Sequence, residues 1–241
     1  MIKRYIVFIA FLFSCGSQAS NLPNFPFVVS TGLAEKEVSP NIAEVQIDLM
    51  SFNVESNKAM EGLNMASSAV IELLKKYKID VKQLEASDIQ KSTKRADDGN
   101  YNKTQILGYE ISRNMTLKLE DLSYYAELMS ELAAIDNLTN MRTHFDVSNR
   151  KLIESDLIQE ASTNAENKAK RMASSLGSKV HSVYAVSQAS DFGDFFATFG
   201  AQTYNAQYLN RTRFSPVIMF VPKSINISQH INVVFQLEGN R

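Results

Sequence analysis

The chain has 241 residues, 44% of them apolar, and carries 25 basic against 26 acidic side chains, a formal net charge of -1. That size and apolar content suffice for one large domain or two small ones with a buried core. The near-neutral balance gives no electrostatic reason to expect a nucleic acid or an anionic membrane as partner, and a single cysteine, Cys15, excludes an internal disulfide.

Lys3 and Arg4 precede an almost wholly apolar run from Tyr5 to Phe13, and Ser17-Gln18-Ala19 then offers the small residues a signal peptidase reads. Residues 1–19 therefore read as a secretory signal peptide with cleavage before Ser20, which puts the working protein in the periplasm. The run is too short to span a bilayer, which takes about 20 apolar residues. Leu12-Phe13-Ser14-Cys15-Gly16 also resembles a lipobox, so a lipoprotein anchored through Cys15 is the alternative; the bulk of Phe13 favours free export. Loss of Lys3 and Arg4 with the signal takes the charge from -1 to -3 over the remaining 222 of 241 residues.

Phe27-Val28-Val29 shows strand character, and in the run from Ile42 to Val54 the residues Ala43, Val45, Ile47 and Leu49 alternate with Glu44, Gln46 and Asp48. Period two marks a half-buried strand, and Val38-Ser39-Pro40-Asn41 between the two runs predicts an opening hairpin. From Ser56, a predicted N-cap, the spacing of Ala59, Leu63, Ala66, Val70, Leu73, Leu74 and Tyr77 changes to that of a long helix. Strands follow over Ile89–Lys94 and Gln105–Leu119, joined by the turn-rich Asp97-Asp98-Gly99-Asn100. Asp121 is placed to cap a second helix with Leu122, Tyr125, Ala126, Met129, Leu132 and Ala133 inward, and a strand around Asn140–Val147 comes next.

A longer helix from about Asn149 to Leu176 carries the stripe Leu157, Ala161, Ala165, Ala169, Met172 and Leu176, small enough for another element to approach its backbone. Gly177 ends it in the left-handed conformation that glycine adopts without strain. Val180, Val183, Ala185 and Val186 suggest a strand, and Ile225–Leu237 a last one. The order β-β-α-β-β-α-β-α-β-β predicts an α+β fold, an antiparallel or mixed sheet with helices on one face. The signal peptide (1–19) is followed by one α+β domain, 20–241, divisible into halves of about 27–120 and 121–238.

The strand with Gly32, the turn Ser39-Pro40-Asn41, the Ala43–Leu49 strand, Ile106-Leu107-Gly108-Tyr109, the alanines 161, 165, 169 and 173 ending at Leu176-Gly177, and the terminal Ile227–Leu237 strand together resemble the SIMPL-domain family of exported bacterial proteins. The resemblance covers roughly Val28 to Leu237 and rests on distributed patterning. It implies an α+β envelope protein, a tendency to form ring-like or channel-like oligomers, and a loose link to envelope or oxidative stress. It carries no cofactor and no catalytic residue set. Asp191–Phe214 departs from the pattern.

His144, His181 and His230 are the only imidazoles, and none has a second histidine at zinc-binding helical spacing. His144 and Asp146 share a face of a regular strand, which gives an acid–base pair as one reading and two ordinary strand residues as the plainer one. No nucleophile elbow or phosphate loop occurs, so no catalytic, cofactor-binding or metal residues are assigned. Phe192, Phe195, Phe196 and Phe199 fall at i, i+3, i+4 and i+7, an aromatic helix face that Tyr204 and Tyr208 extend. This face serves either as local cover for the sheet or as an interaction surface. The leading expectation is a non-enzymatic envelope protein that forms homo-oligomers. The alternatives are a periplasmic small-molecule or metal-binding protein and a lipid-anchored factor that recruits other envelope proteins.

Overall fold

The alternation read at Ala43–Leu49 produces β2 (Ile42–Asn53), the central strand of the larger of two sheets in the computed structural model, which describes residues 23–96, 105–188 and 220–239. β2 pairs antiparallel with β5 (Ile106–Leu119) along the whole run from Ala43 opposite Leu119 to Asn53 opposite Tyr109. On its other side it pairs antiparallel with β6 (Leu138–Asp146). β3 (Leu84–Ala86) and β4 (Gln90–Arg95) lie along β5, giving the order β3-β5-β2-β6 with β4 beside β5. The smaller sheet has the order β1-β8-β7, formed by β1 (Phe27–Val38), β8 (Ile225–Leu237) and β7 (Val180–Ser187). With α1 (Ser56–Lys76), α2 (Tyr125–Ala133) and α3 (Arg150–Ser175) the fold is α+β, as its sequence predicts, with β3 as an addition.

The opening hairpin does not form: β1 and β2 belong to different sheets. Ser39-Pro40-Asn41 reverses the chain, but β1 finds its partner in β8, with the Leu237 amide donating to Pro26 and Thr31 Oγ1 to Asn232. A turn fixes direction, and only the apolar surface of a strand selects its neighbour.

The elements gather into two compact units. The first comprises the described residues within 33–162 and 210–230. Ala43, Val45, Ile47 and Leu49 of β2 and Ile111, Met115, Leu117 and Leu119 of β5 are buried there under Ala59, Leu63, Ala66, Val70 and Leu74 of α1 and Tyr125, Leu128, Met129 and Leu132 of α2. Each fully buried Leu, Ile or Val contributes about 1.5–3 kcal/mol relative to exposure. Gly62 lets α1 approach β2, since a Cβ there would overlap Ser51 Oγ and lie 3.3 Å from Ser51 Cβ.

The helix ends correct the sequence reading in detail. Ser56 is the first residue of α1 and Glu55 the N-cap, without a side-chain cap bond. Asp121 caps no helix. Its carboxylate accepts the Ser123 amide at 2.9 Å in the turn before α2, which starts at Tyr125. In α2, Leu128 is buried while Ala126 and Ala133 are exposed, because the helix begins later and its buried arc rotates with it.

The second unit comprises the described residues within 1–32, 163–209 and 231–241. Ala165, Ala169 and Ala173 are buried in it, and the buried Ser30 hydroxyl of β1 donates to the Ala165 carbonyl at 2.8 Å, the close approach that the small stripe permits. Leu176 is exposed, so the stripe closes at Ala173. Gly177 (φ +72°) forms the expected Schellman end, with Ser178 N bonded to Ala173 O and Gly177 N to Ser174 O.

At the close of α1, Lys76 Nζ and the Tyr77 hydroxyl both donate to the Glu131 carboxylate of α2, at 2.6 and 2.7 Å. The bond to Glu131 pushes Tyr77 up to about 12, with desolvation second, and the bonds from Lys76 and then Tyr77 hold Glu131 below its ordinary value. Tyr77 keeps its proton longer folded than unfolded, so its contribution is full below about pH 10 and is lost as pH rises through about 12. The Glu131 contribution is present above the ordinary carboxylate range and is lost as pH falls through its lowered value. A tyrosinate absorbance titration is expected to contain a late component that Tyr77→Phe removes. Gly62→Ala is expected to cost about 1–3 kcal/mol by denaturant unfolding, as overpacked cores do, and to recover in part when Ser51→Ala removes the obstructing hydroxyl.

Candidate interaction surface

β8 is the middle strand of its sheet and is buried at every residue from Ile231 to Phe235, on both faces. β7 pairs with β8 on one side, and no strand pairs with its other edge among the described residues. Its ladder breaks twice. Val180 faces Leu237 while Ser182 faces Gln236, and Val183 faces Phe235 while Ala185 faces Val234, so His181 and Tyr184 are each an extra residue. Bulges bend a strand and re-aim the side chains they carry. Val183, Tyr184 and Val186 consequently stand half exposed or more, with the Phe25 ring edge-on to Tyr184 at 5.0 Å.

This surface is absent from the sequence reading, although a signal for it exists. Val180, Val183, Ala185 and Val186 keep no period of two, and an apolar strand without alternation is what a bulged strand looks like. The expected surface of Phe192, Phe195, Phe196, Phe199, Tyr204 and Tyr208 lies outside the described residues, as does Cys15.

The histidines are not brought into a common site. His144 is exposed on β6, opposite Glu44. Asp146 serves a different purpose: both its oxygens accept Arg150 Nε, at 2.6 and 2.8 Å, and Oδ1 accepts the Val147 amide at 2.7 Å. That carboxylate fastens the start of α3 to the end of β6, which corrects its reading as the orienting partner of an imidazole. His181 lines a cavity of about 570 Å³ with Lys179, Gln236 and Glu238 at the end of α3. His230 is half-buried, and its Nε2 is buried without a hydrogen-bond partner among the described residues. No group of three or more His, Cys, Asp or Glu side chains converges as metal ligands do, again among the described residues.

If Asp146 is a structural anchor, Asp146→Ala loses about 1.5–3 kcal/mol of stability, the range for hydrogen bonds to a charged group. His144→Ala leaves the denaturation midpoint unchanged. Equal effects of the two substitutions would overturn this assignment.

No described helix is long and apolar enough to cross a membrane. The family model described as "SIMPL: Protein of unknown function (DUF541)" matches residues 28–235, from the second residue of β1 to Phe235 in β8. A 26 kDa periplasmic immunogenic protein of Brucella abortus is 24% identical over 166 residues, which cover 68% of this chain and 66% of that protein. The match thus spans just under two thirds of the length of that curated relative. Because the family model takes in both sheets and all three helices, the chain belongs to the SIMPL family.

Proposed function

We propose that this chain is an exported periplasmic protein of the cell envelope that acts by self-association and not by catalysis. The observation that carries the reading is the outer surface of β7, where Val183, Tyr184 and Val186 are exposed on a strand that, among the described residues, pairs on one edge. Exposed apolar groups gathered on one element mark an interaction site, and an identical surface on a second copy is the simplest complement. The two bulges interrupt the ladder that a partner strand would extend, so the contact forms by side-chain packing.

Periplasmic residence is supported by the residue 1–19 export signal and by the printed name of the Brucella relative. A non-catalytic role is supported by the commitment of Asp146 to Arg150, which takes that carboxylate away from His144. The family resemblance supports a role during envelope or oxidative stress.

Size-exclusion chromatography with light scattering on the exported, processed protein is expected to give a mass several times that of one chain. Val183→Glu with Val186→Glu is expected to reduce it to a single chain with an unchanged circular dichroism spectrum. A wild type that stays monomeric at high concentration would refute the proposal. An assembly that tolerates both glutamates but dissociates with Phe195→Asp and Phe196→Asp would move the contact to the aromatic segment.

A further inference from the structure

The cavity at the end of α3 lies wholly within one unit, where the turn after the helix meets the start of β7 and the end of β8. Backbone bonds fix its frame. The Glu238 amide donates to the Lys179 carbonyl at 2.8 Å, and Ser178 Oγ donates to the Glu238 carbonyl at 3.2 Å, so the turn and the two strand ends hold one another. Gly177 and Gly239 form part of the wall, and a Cβ at either would meet nothing within 4 Å.

This frame consumes main-chain groups and leaves the charged side chains uncommitted. Lys179, His181 and Glu238 line the cavity, and among the described residues none of the three side chains has a hydrogen bond or an ion pair. Exposed opposite charges elsewhere in this chain do close on each other: Lys58 with Glu55, Lys75 with Glu72 and Lys170 with Glu166, at 2.7, 2.8 and 2.6 Å. Here a lysine and a glutamate share one cavity and stay apart. Gln236 adds a donor, since its Oε1 accepts the Ser182 hydroxyl at 3.3 Å and its amide nitrogen is left over. The C-terminal end of the α3 dipole, at Gly177 and Ser178, favours a cation.

A ligand of one sign fits this wall badly. A divalent cation would find His181 and Glu238 but be repelled by Lys179, and a simple anion would be repelled by Glu238. A molecule with an ammonium at one end and a carboxylate at the other complements both signs. The volume, about 570 Å³, falls within the range of small-molecule sites, roughly 300–1,000 Å³.

We infer that this cavity binds a short peptide with free ends, a di- or tripeptide, its ammonium at Glu238 and the end of α3, its carboxylate at Lys179, His181 and the Gln236 amide. The inference does not rest on self-association, because Val183, Tyr184 and Val186 do not line the cavity.

Calorimetric titration of the processed protein with trialanine, N-acetyl-trialanine and trialanine amide tests it. Trialanine is expected to bind saturably, and either cap to weaken binding about fivefold, as loss of an exposed ion pair does at the upper end of its range. Glu238→Gln should weaken trialanine about fivefold and erase the penalty of the N-acetyl cap alone, and Lys179→Gln should do the same for the amide cap. Because these side chains hold nothing in the fold, both variants should keep the thermal midpoint and the assembled mass. The inference fails if trialanine does not bind, if free and capped peptides bind alike, or if neither substitution alters the discrimination. Tight binding of the N-acetyl form that Lys179→Gln removes would make this an anion site. Saturable binding of zinc chloride that His181→Ala removes, with no heat from trialanine, would make it a cation site, and either result overturns the inference.

Discussion

Everything in the larger sheet hangs on the register of β2 between β5 and β6. One face of β2 is fully buried at Val45 and Ile47, and the other carries Glu44, Gln46 and Asp48. A slip by one residue would exchange those faces and carry two carboxylates into the core. The open face guards against this with its own lock: Asp48 accepts Asn114 Nδ2 from β5 on one oxygen and Asn140 Nδ2 from β6 on the other, each at 2.7 Å. Three strands are thus pinned through one carboxylate, at the position where the β2–β6 register shifts.

The helices take their positions from that buried face. α1 comes close because Gly62 offers no side chain to Ser51, and α2 is fixed by Tyr125, which is buried, stacks edge-on against Phe145 and donates its hydroxyl to Thr143 of β6 at 2.8 Å. Both long helices end in the same motif with different chemistry. α3 uses Gly177, while α1 uses Lys78 at φ 57°, with Ile79 N reaching Leu74 O and Lys78 N reaching Lys75 O. Ile79 and Leu74, both buried, supply the apolar contact that commonly closes this motif and offsets the strain of a non-glycine residue there.

What the sequence discloses follows from how local each cause is. The alternation of β2, the spacing of α1 and the glycine after α3 act within a few residues, and all three stand as read. Partner choice is not local. The turn at Ser39-Pro40-Asn41 is real, yet nothing in it says that β1 will pair with β8, nearly two hundred residues away. The limits of α2 escaped because Asp121 bonds its own turn and leaves Tyr124 as the N-cap. The acid–base alternative at Asp146 gives way for a related reason: shared parity with His144 is a statement about direction, and Arg150, one helical turn on, claims the carboxylate. The candidate surface on β7 shows in the sequence only as an apolar run without alternation; which side chains it turns outward depends on where the ladder with β8 fails.

The paired bulges at His181 and Tyr184 also bear on how such a protein survives at high local concentration. An uninterrupted apolar edge is a template on which strands add without limit, the route to fibrils. A strand that loses its ladder twice within five residues offers no straight run of backbone donors and acceptors. It can present sticky side chains and yet refuse endless growth, which is the condition for an assembly of finite size.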